Sequence, residues 1–304
     1  MRTKIDKTYL RLVNRENPLE KHKPEFYEYD EVSVRIPNHE ISSDDIVIDR
    51  GERSSIVKTF IEKKTNQAFE ELKADLARKG INVRINEAGR TVEKQILYRK
   101  NAEENHGIEY ADNYVAKPYE TEHGLGTAVD IGVFSKAISN IKNTKVNNAL
   151  HKIVRKLILY PVMHKTAVKH GFITRYPVKY NLTNERRKEI QAMKEDVLDF
   201  NSLPMDENGQ VIEPADRKVT IKSSGKEFKK LTVQYNYEPW HETYVGKFNA
   251  QFMTANNLTL EEYVKLVDIY EAYADSFEDE SQCLSLQQFH NLYTLGNEWD
   301  DRNM

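Results

Sequence analysis

Two clusters of residues in this chain could together hold a metal ion and carry out hydrolysis beside it. The first runs Thr121-Glu122-His123-Gly124-Leu125-Gly126-Thr127-Ala128-Val129-Asp130, and the second, more than a hundred residues later, is Glu238-Pro239-Trp240-His241. Together they offer two imidazoles, one carboxylate ligand and one spare glutamate. A catalytic zinc site needs three protein ligands, an open fourth position for water and a base beside it. Zinc accepts mixed nitrogen and oxygen ligation because its filled d-shell imposes no strong geometry. Cys283 is the sole cysteine, so there is neither a disulfide framework nor a thiolate site, and the ligands must be His, Asp or Glu. The most economical reading is a zinc hydrolase.

The elements that must position these residues follow from local pattern. His123 and Asp130 stand seven apart, which does not fit the i, i+4 pair of a helical HExxH site. Gly124 and Gly126 argue for a turn entering a buried strand, Ala128–Val133, on which alternation puts Ala128 and Asp130 on one face. Leu231–Tyr237 reads as the strand that delivers Glu238 and His241, with Pro239 pre-setting the backbone between them. Ser55, Ile56, Val57, Phe60, Ile61, Ala68, Phe69, Leu72 and Leu76 recur at helical spacing, closed by Gly80. Ile81, Val83 and Ile85 alternate as a half-buried strand, and a polar helix covers Val92–Asn105. Val146–Leu159 is a helix that Pro161 should break, followed by Met163–His170, which Gly171 ends, and a strand at Phe172–Tyr176. Residues 1–50 read as irregular, with short strand-like pieces at Val32–Ile36 and Ile46–Ile48. Thr259–Phe277 is an amphipathic helix with Thr259 and Glu262 as a capping box. Residues 181–230 are highly charged, with a possible helix at Asn184–Leu198. The expected organisation is therefore one catalytic domain over 1–277 with an insertion at about 181–230, and an acidic tail over 278–304 that includes Trp299 and has no clear core pattern.

Composition excludes other classes. The chain has 304 residues, 39% hydrophobic and 31% charged, with a net charge of −3. That balance predicts no general affinity for nucleic acid. No stretch approaches the roughly 18 apolar residues of a membrane span, and Met1–Lys7 leads into no signal-peptide run. As written, the chain is expected in the cytoplasm, or at the cell wall if another route exports it or a signal has been removed. The oligomeric state is not set by any of these features. His151, His164 and His170 fall on or beside helices, where exposed or capping roles suffice, and His106 suits a helix end. Cys283 has no acid–base partner nearby in sequence.

The two clusters, with five further segments, resemble the VanY-type D-alanyl-D-alanine carboxypeptidases, zinc peptidases that trim peptidoglycan stem peptides. The matches run in order over most of residues 10–267: Leu12-Val13-Asn14-Arg15-Glu16-Asn17-Pro18-Leu19; Gly89-Arg90-Thr91 followed by Gln95; Glu122-His123, Gly126 and Ala128-Val129-Asp130; Gly171-Phe172-Ile173-Thr174-Arg175-Tyr176-Pro177; Glu238-Pro239-Trp240-His241; Tyr244-Val245-Gly246; and Leu258 to Tyr263. The resemblance implies an α+β domain on a small central antiparallel sheet with flanking helices, a fold shared with hedgehog-like zinc domains. It implies that His123, Asp130 and His241 hold zinc (Zn2+) and that Glu238 is the general base, passing a proton from water to the leaving amine. Arg90 would face the carbonyl oxygen or the substrate's terminal carboxylate. Gln95 and Thr121 would bind substrate by hydrogen bonds, and Tyr176 and Trp240 would wall the pocket. The implied substrate is a peptidoglycan stem peptide or muropeptide that loses its C-terminal D-alanine.

The chain departs from the family pattern at four places. Gly89 replaces a Tyr, Thr91 and Thr121 replace Ser, and Glu242-Thr243 replaces an aromatic followed by Arg. Competing readings are an endopeptidase of the phage-endolysin kind, a D,D-dipeptidase, and, from another class, a non-catalytic zinc-bearing module that binds wall peptides. Retention of Glu238 favours an enzyme, since a purely structural site needs no base beside its metal.

Overall fold

The computed structural model describes residues 1–21, 23–135, 152–177 and 233–292. Contacts divide it into two units. One comprises Lys7–Pro177 with Gln234–Asn257, the other Met1–Asp6 with Val178–Val233 and Leu258–Met304.

The larger unit opens with three antiparallel strands, β1 (Tyr29–Pro37), β2 (Ile46–Arg50) and β3 (Ser54–Glu62), in the order β1-β3-β2. Residues 29–50 are thus more regular than their prolines suggest. The helix expected from Ser55 begins only at Lys63, as α1 (Lys63–Arg78). β-Branched Ile56, Val57, Thr59 and Ile61 favour an extended chain, and all nine residues of β3 pair with β1. The Glu62 carboxylate then caps α1, accepting from the Thr65 N–H at 2.8 Å. Strand passes into helix with no loop between, so buried Val57 and Ile61 follow a period of two while Phe69, Leu72 and Leu76 follow a period of 3.6.

The second sheet carries the site. Its strands are β4 (Ile81–Glu87), β5 (Ala128–Ser135), β6 (Phe172–Thr174) and β7 (His241–Tyr244), ordered β4-β5-β7-β6 and antiparallel throughout. The architecture is α+β on antiparallel sheets, as expected. Val83, Val129, Ile131, Val133 and Phe172 form a core with α1 and with Met163 and Ala167 of α4 (Tyr160–Ala167). Full burial of each of these side chains other than Ala167 stabilises the fold by about 1.5–3 kcal/mol. Pro161 does not break the helix. Residues 152–170 are helical throughout, and a π segment, Arg155–Leu159, precedes α4. Pro161 sits next to that irregular turn, where its missing N–H removes one bond without ending the helix.

Between β4 and β5 lie α2 (Val92–His106), capped by Thr91, and α3 (Ile108–Tyr114), which the sequence pattern does not announce. α5 (Lys247–Ala255) follows β7 and is likewise unannounced. The strand expected over Leu231–Tyr237 is absent from its described residues, 233–237. Their polar groups bond elsewhere: Asn236 N–H donates to Asn113 O at 2.9 Å, and Gln234 accepts from Arg15 N–H at 3.2 Å. Pairing resumes at His241, after Pro239.

In the smaller unit, α6 (Leu260–Asp275) has the expected capping box between Thr259 and Glu262. Phe289 packs on the rings of Tyr270 and Tyr273, and Cys283 and Leu286 are buried too. The acidic C-terminal segment therefore contributes core side chains. Thr3 N–H donates to Tyr270 Oη at 2.7 Å, tying the first residues to α6. The possible helix Asn184–Leu198, the rest of the charged stretch 181–230, the start of the expected 146–159 helix and Trp299 lie outside the described residues. Among the described residues, no helix is long and apolar enough to cross a membrane.

Candidate metal centre

Strand register brings the site together. Asp130 on β5 lies opposite His241 on β7, and on its other side opposite Glu87 on β4. The turn that returns His123 to this face is a short 3-10 helix, Glu122–Leu125. Thr121 Oγ1 caps it, accepting from His123 N–H at 3.3 Å. Gly126 ends it with a φ of 73°, and a Cβ there would stand 2.9 Å from Glu62 N, so only glycine fits. The His123 carbonyl accepts from Arg90 N–H at 3.0 Å, which stitches the exit of β4 to the turn.

The His123 ring is fixed by chemistry as well as by space. Its Nδ1 lies 2.5 Å from Ala88 O, and a carbonyl only accepts, so the proton sits on Nδ1. Burial lowers the pKa of the ring, keeping it neutral. Nε2 is then a bare lone pair, buried and without a hydrogen-bond partner. It faces Asp130 Oδ1 at 3.5 Å, and that oxygen is also buried without a hydrogen-bond partner. His241 turns Nδ1 to the same oxygen at 3.3 Å. An acceptor lone pair facing a carboxylate oxygen in a buried site is repulsive unless a cation stands between them. The candidate donor atoms of His123, Asp130 and His241 all lie within 4.8 Å of one another. A tetrahedral ion with bonds of about 2.0–2.2 Å needs its ligand atoms about 3.3–3.6 Å apart. The two separations from Asp130 match that edge, so the residues fit zinc.

Glu238 Oε2 lies 3.8 Å from His241 Nδ1, and the His241 N–H donates to Glu238 O at 3.2 Å, closing the turn that aims both side chains. Arg90 enters from the β4 side, with Nη2 3.7 Å from Asp130 Oδ2. Gln95 is buried and accepts from Arg90 Nη1 at 2.9 Å, while its amide donates to Ala116 O at 2.5 Å. Tyr176 is buried with its ring 5.1 Å from that of His241, whereas Trp240 is 40% exposed. Of the residues singled out in the sequence, the fold thus places His123, Asp130, His241, Glu238 and Arg90 around one point. Gln95 touches Arg90, and Thr121 bonds the backbone of His123.

Comparison with known proteins finds likenesses over part of the chain. Residues 58–190, which contain His123 and Asp130, match the family model described as VanY, D-alanyl-D-alanine carboxypeptidase. Over that stretch the chain is similar to this family. It is 26% identical over 212 residues to the carboxypeptidase-like YodJ of Bacillus subtilis (strain 168), a match covering 70% of this chain and 56% of YodJ. It is 25% identical over 183 residues to VanXYC of Enterococcus gallinarum, a bifunctional D-Ala-D-Ala dipeptidase and carboxypeptidase, covering 60% of this chain and 66% of that protein. The chain thus spans about 56–66% of the length of these relatives. Among solved structures it is similar to the LD-carboxypeptidase LdcB, with 24% identity, 84% of each chain covered and a TM-score of 0.46. It is also similar to a vancomycin-resistance D,D-pentapeptidase VanY solved in complex with Zn(II), with 20% identity, 84% of this chain and 98% of that chain covered, and a TM-score of 0.45.

Two departures from the pattern of the family that the chain resembles have structural counterparts. A Cβ on Gly89 would stand 2.4 Å from both the Phe60 ring and Phe60 O, so the Phe60 ring fills the space beside that position. Glu242, on the core face of β7, is bound at 2.6 Å by His164 Nδ1 and at 3.0 Å by Thr174 Oγ1. His164 is therefore a buried-carboxylate partner, where the sequence suggested an exposed or capping role. A further pair escaped the sequence reading. Arg175 Nε donates to Glu122 Oε1 at 2.6 Å, with both side chains fully buried, beside both histidines. The signal was present, since each lies within a matched segment, but the pairing is visible only in space.

Proposed function

We propose that this chain is a zinc-dependent D,D-carboxypeptidase that removes the C-terminal D-alanine from peptidoglycan stem peptides. The observation that carries the reading is the set of three donor residues whose ligand atoms lie within 4.8 Å of one another, two of the separations being those of a tetrahedral ion's edge, with Glu238 beside them. His123, Asp130 and His241 would hold the ion. Zinc, when bound, supplies Lewis-acid polarisation of the scissile carbonyl and lowers the pKa of water to near neutrality. Glu238 takes a proton from the attacking water and returns it to the leaving amine. Arg90 offers its guanidinium to the carbonyl oxygen as negative charge develops, or to the terminal carboxylate. Gln95 and Thr121 complete the substrate pocket by fixing Arg90 and His123. The partner is a stem peptide or muropeptide. The neighbouring chemistry is D,D-dipeptidase activity, favoured by the combination of both activities in the relative VanXYC.

The test is mass-spectrometric analysis of zinc-loaded protein given a stem pentapeptide ending in D-Ala-D-Ala and, separately, the D-Ala-D-Ala dipeptide. Wild type is expected to release one alanine from the pentapeptide. Glu238→Gln should lose at least about 100-fold in turnover, at the low end of what a positioned base contributes, with its zinc content unchanged. Cleavage of the dipeptide alone would move the assignment to a dipeptidase, and an internal cut to an endopeptidase. Zinc bound with no cleavage in either form would leave a binding module.

A further inference from the structure

Arg90 lies inside a cage that the metal chemistry does not require. Register in β4 runs Ile85 opposite Ile131 and then Glu87 opposite Asp130, so a β-bulge lies between Ile85 and Glu87. Without the bulge Glu87 would share the core face of Ile81, Val83 and Ile85; with it, Glu87 joins Asp130 on the site face. Two carboxylates on adjacent strands repel unless a cation serves both. Arg90 Nη2 does so, 3.9 Å from Glu87 Oε2 and 3.7 Å from Asp130 Oδ2. Glu87 is itself held by Tyr98 Oη, which donates at 2.6 Å, and by Lys94 Nζ at 3.2 Å. The Tyr98 ring then lies against the guanidinium, 4.6 Å from Cζ to centroid, a cation–π contact. Gln95 takes Nη1. Arg90 Nε is left buried and without an acceptor among the described residues.

We infer that Glu87 and Tyr98 are positioning residues. Together with Gln95 they fix the Arg90 guanidinium on three sides, and they divide its charge between Glu87 and Asp130. The assignment rests on the reading of Arg90 as the substrate-facing cation. Both residues act through Arg90, and α2 is the element that carries the clamp, with Lys94, Gln95 and Tyr98 all turned toward β4.

The clamp is tested on the zinc-loaded full chain by a double-mutant cycle. Glu87→Gln and Tyr98→Phe should each lower kcat/KM for terminal-alanine release about 10–100-fold, the range for outer-shell partners of a metal site. In an Arg90→Ala background neither should lower it further, and zinc content should not change. A residue with a merely structural role would cost the same in both backgrounds, and that result would overturn the inference. A second readout needs no substrate. The 15N–1H signal of Arg90 Nε, identified by its absence in Arg90→Ala, should be sharp in wild type and lost to exchange in both variants. An unmoved signal would also overturn the clamp. If wild type releases no alanine from any stem peptide, the functional reading fails, and the Arg90 signal alone decides the clamp.

Discussion

Glu242 stands next to His241 in sequence but on the other face of β7, and the two side chains answer to different demands. His241 points to Asp130, whereas Glu242 sits 1% exposed against the core, where an unpartnered carboxylate is costly. His164 and Thr174 compensate it from α4 and β6. The position after the histidine thus belongs to a polar set whose members depend on one another. His164→Ala should destabilise the protein by about 1–3 kcal/mol, the cost of stranding a buried polar partner. Urea unfolding of the zinc-free protein measures that loss. Zinc stoichiometry should stay unchanged, because Glu242 is turned away from the ligands. A His164→Ala protein as stable as wild type would mean that Thr174 alone satisfies the carboxylate.

Between elements, the pair Arg175–Glu122 joins the segment after β6 to the 3-10 turn that carries His123, and Arg175 N–H also donates to His241 O at 3.3 Å. Buried ion pairs add little net stability when intact, but removing one partner leaves a charge with no solvent. Arg175→Met should cost about 3–5 kcal/mol and lower zinc affinity, since both imidazoles lose their common support. Replacing both residues with apolar ones should recover much of the stability without the affinity, which thermal unfolding and zinc titration separate. This scale also shows what the sequence made legible. The alternation of Ile81, Val83 and Ile85 and the period of Ala68, Phe69, Leu72 and Leu76 each have one face in the core, so burial writes the pattern into the residues. β3 runs straight into α1, so two periods overlap and the apparent helical spacing extends back to Ser55. Pro161 does not stop its helix because a π segment adjoins it. The expected strand before Glu238 gave way to bonds with Arg15 and Asn113, partners that no local window contains. Residue types and spacing were enough to pick the side chains that converge at the site. Glu87, Tyr98 and Arg175 escaped because their roles depend on a bulge, on cross-strand register and on a pairing across 53 residues.

At the level of the whole chain, the donors of the candidate centre come from a turn, a central strand and a strand more than a hundred residues later, all within the unit of Lys7–Pro177 and Gln234–Asn257. Bound zinc would cross-link that unit in the folded state, because unfolding separates the three donors. Mass action then makes the metal a folding ligand: a site binding only the native state gains about 2.7 kcal/mol at a free-metal concentration 100 times Kd. In the metal-free centre the bare His123 Nε2 faces Asp130 Oδ1, which His241 Nδ1 also approaches at 3.3 Å. Filling it should therefore relieve a repulsion as well as add bonds. Calorimetry of chelator-treated protein, repeated with buffered zinc, is expected to show a rise in unfolding temperature of several degrees that scales with the logarithm of free zinc. His123→Ala and Asp130→Ala should each show a much smaller rise, and Glu238→Gln should keep it in full, because Glu238 is read as a base and not a ligand. Equal shifts in wild type and the ligand variants would place the zinc elsewhere on the chain. Loss of the shift in Glu238→Gln would make that residue a fourth ligand and remove it as the base.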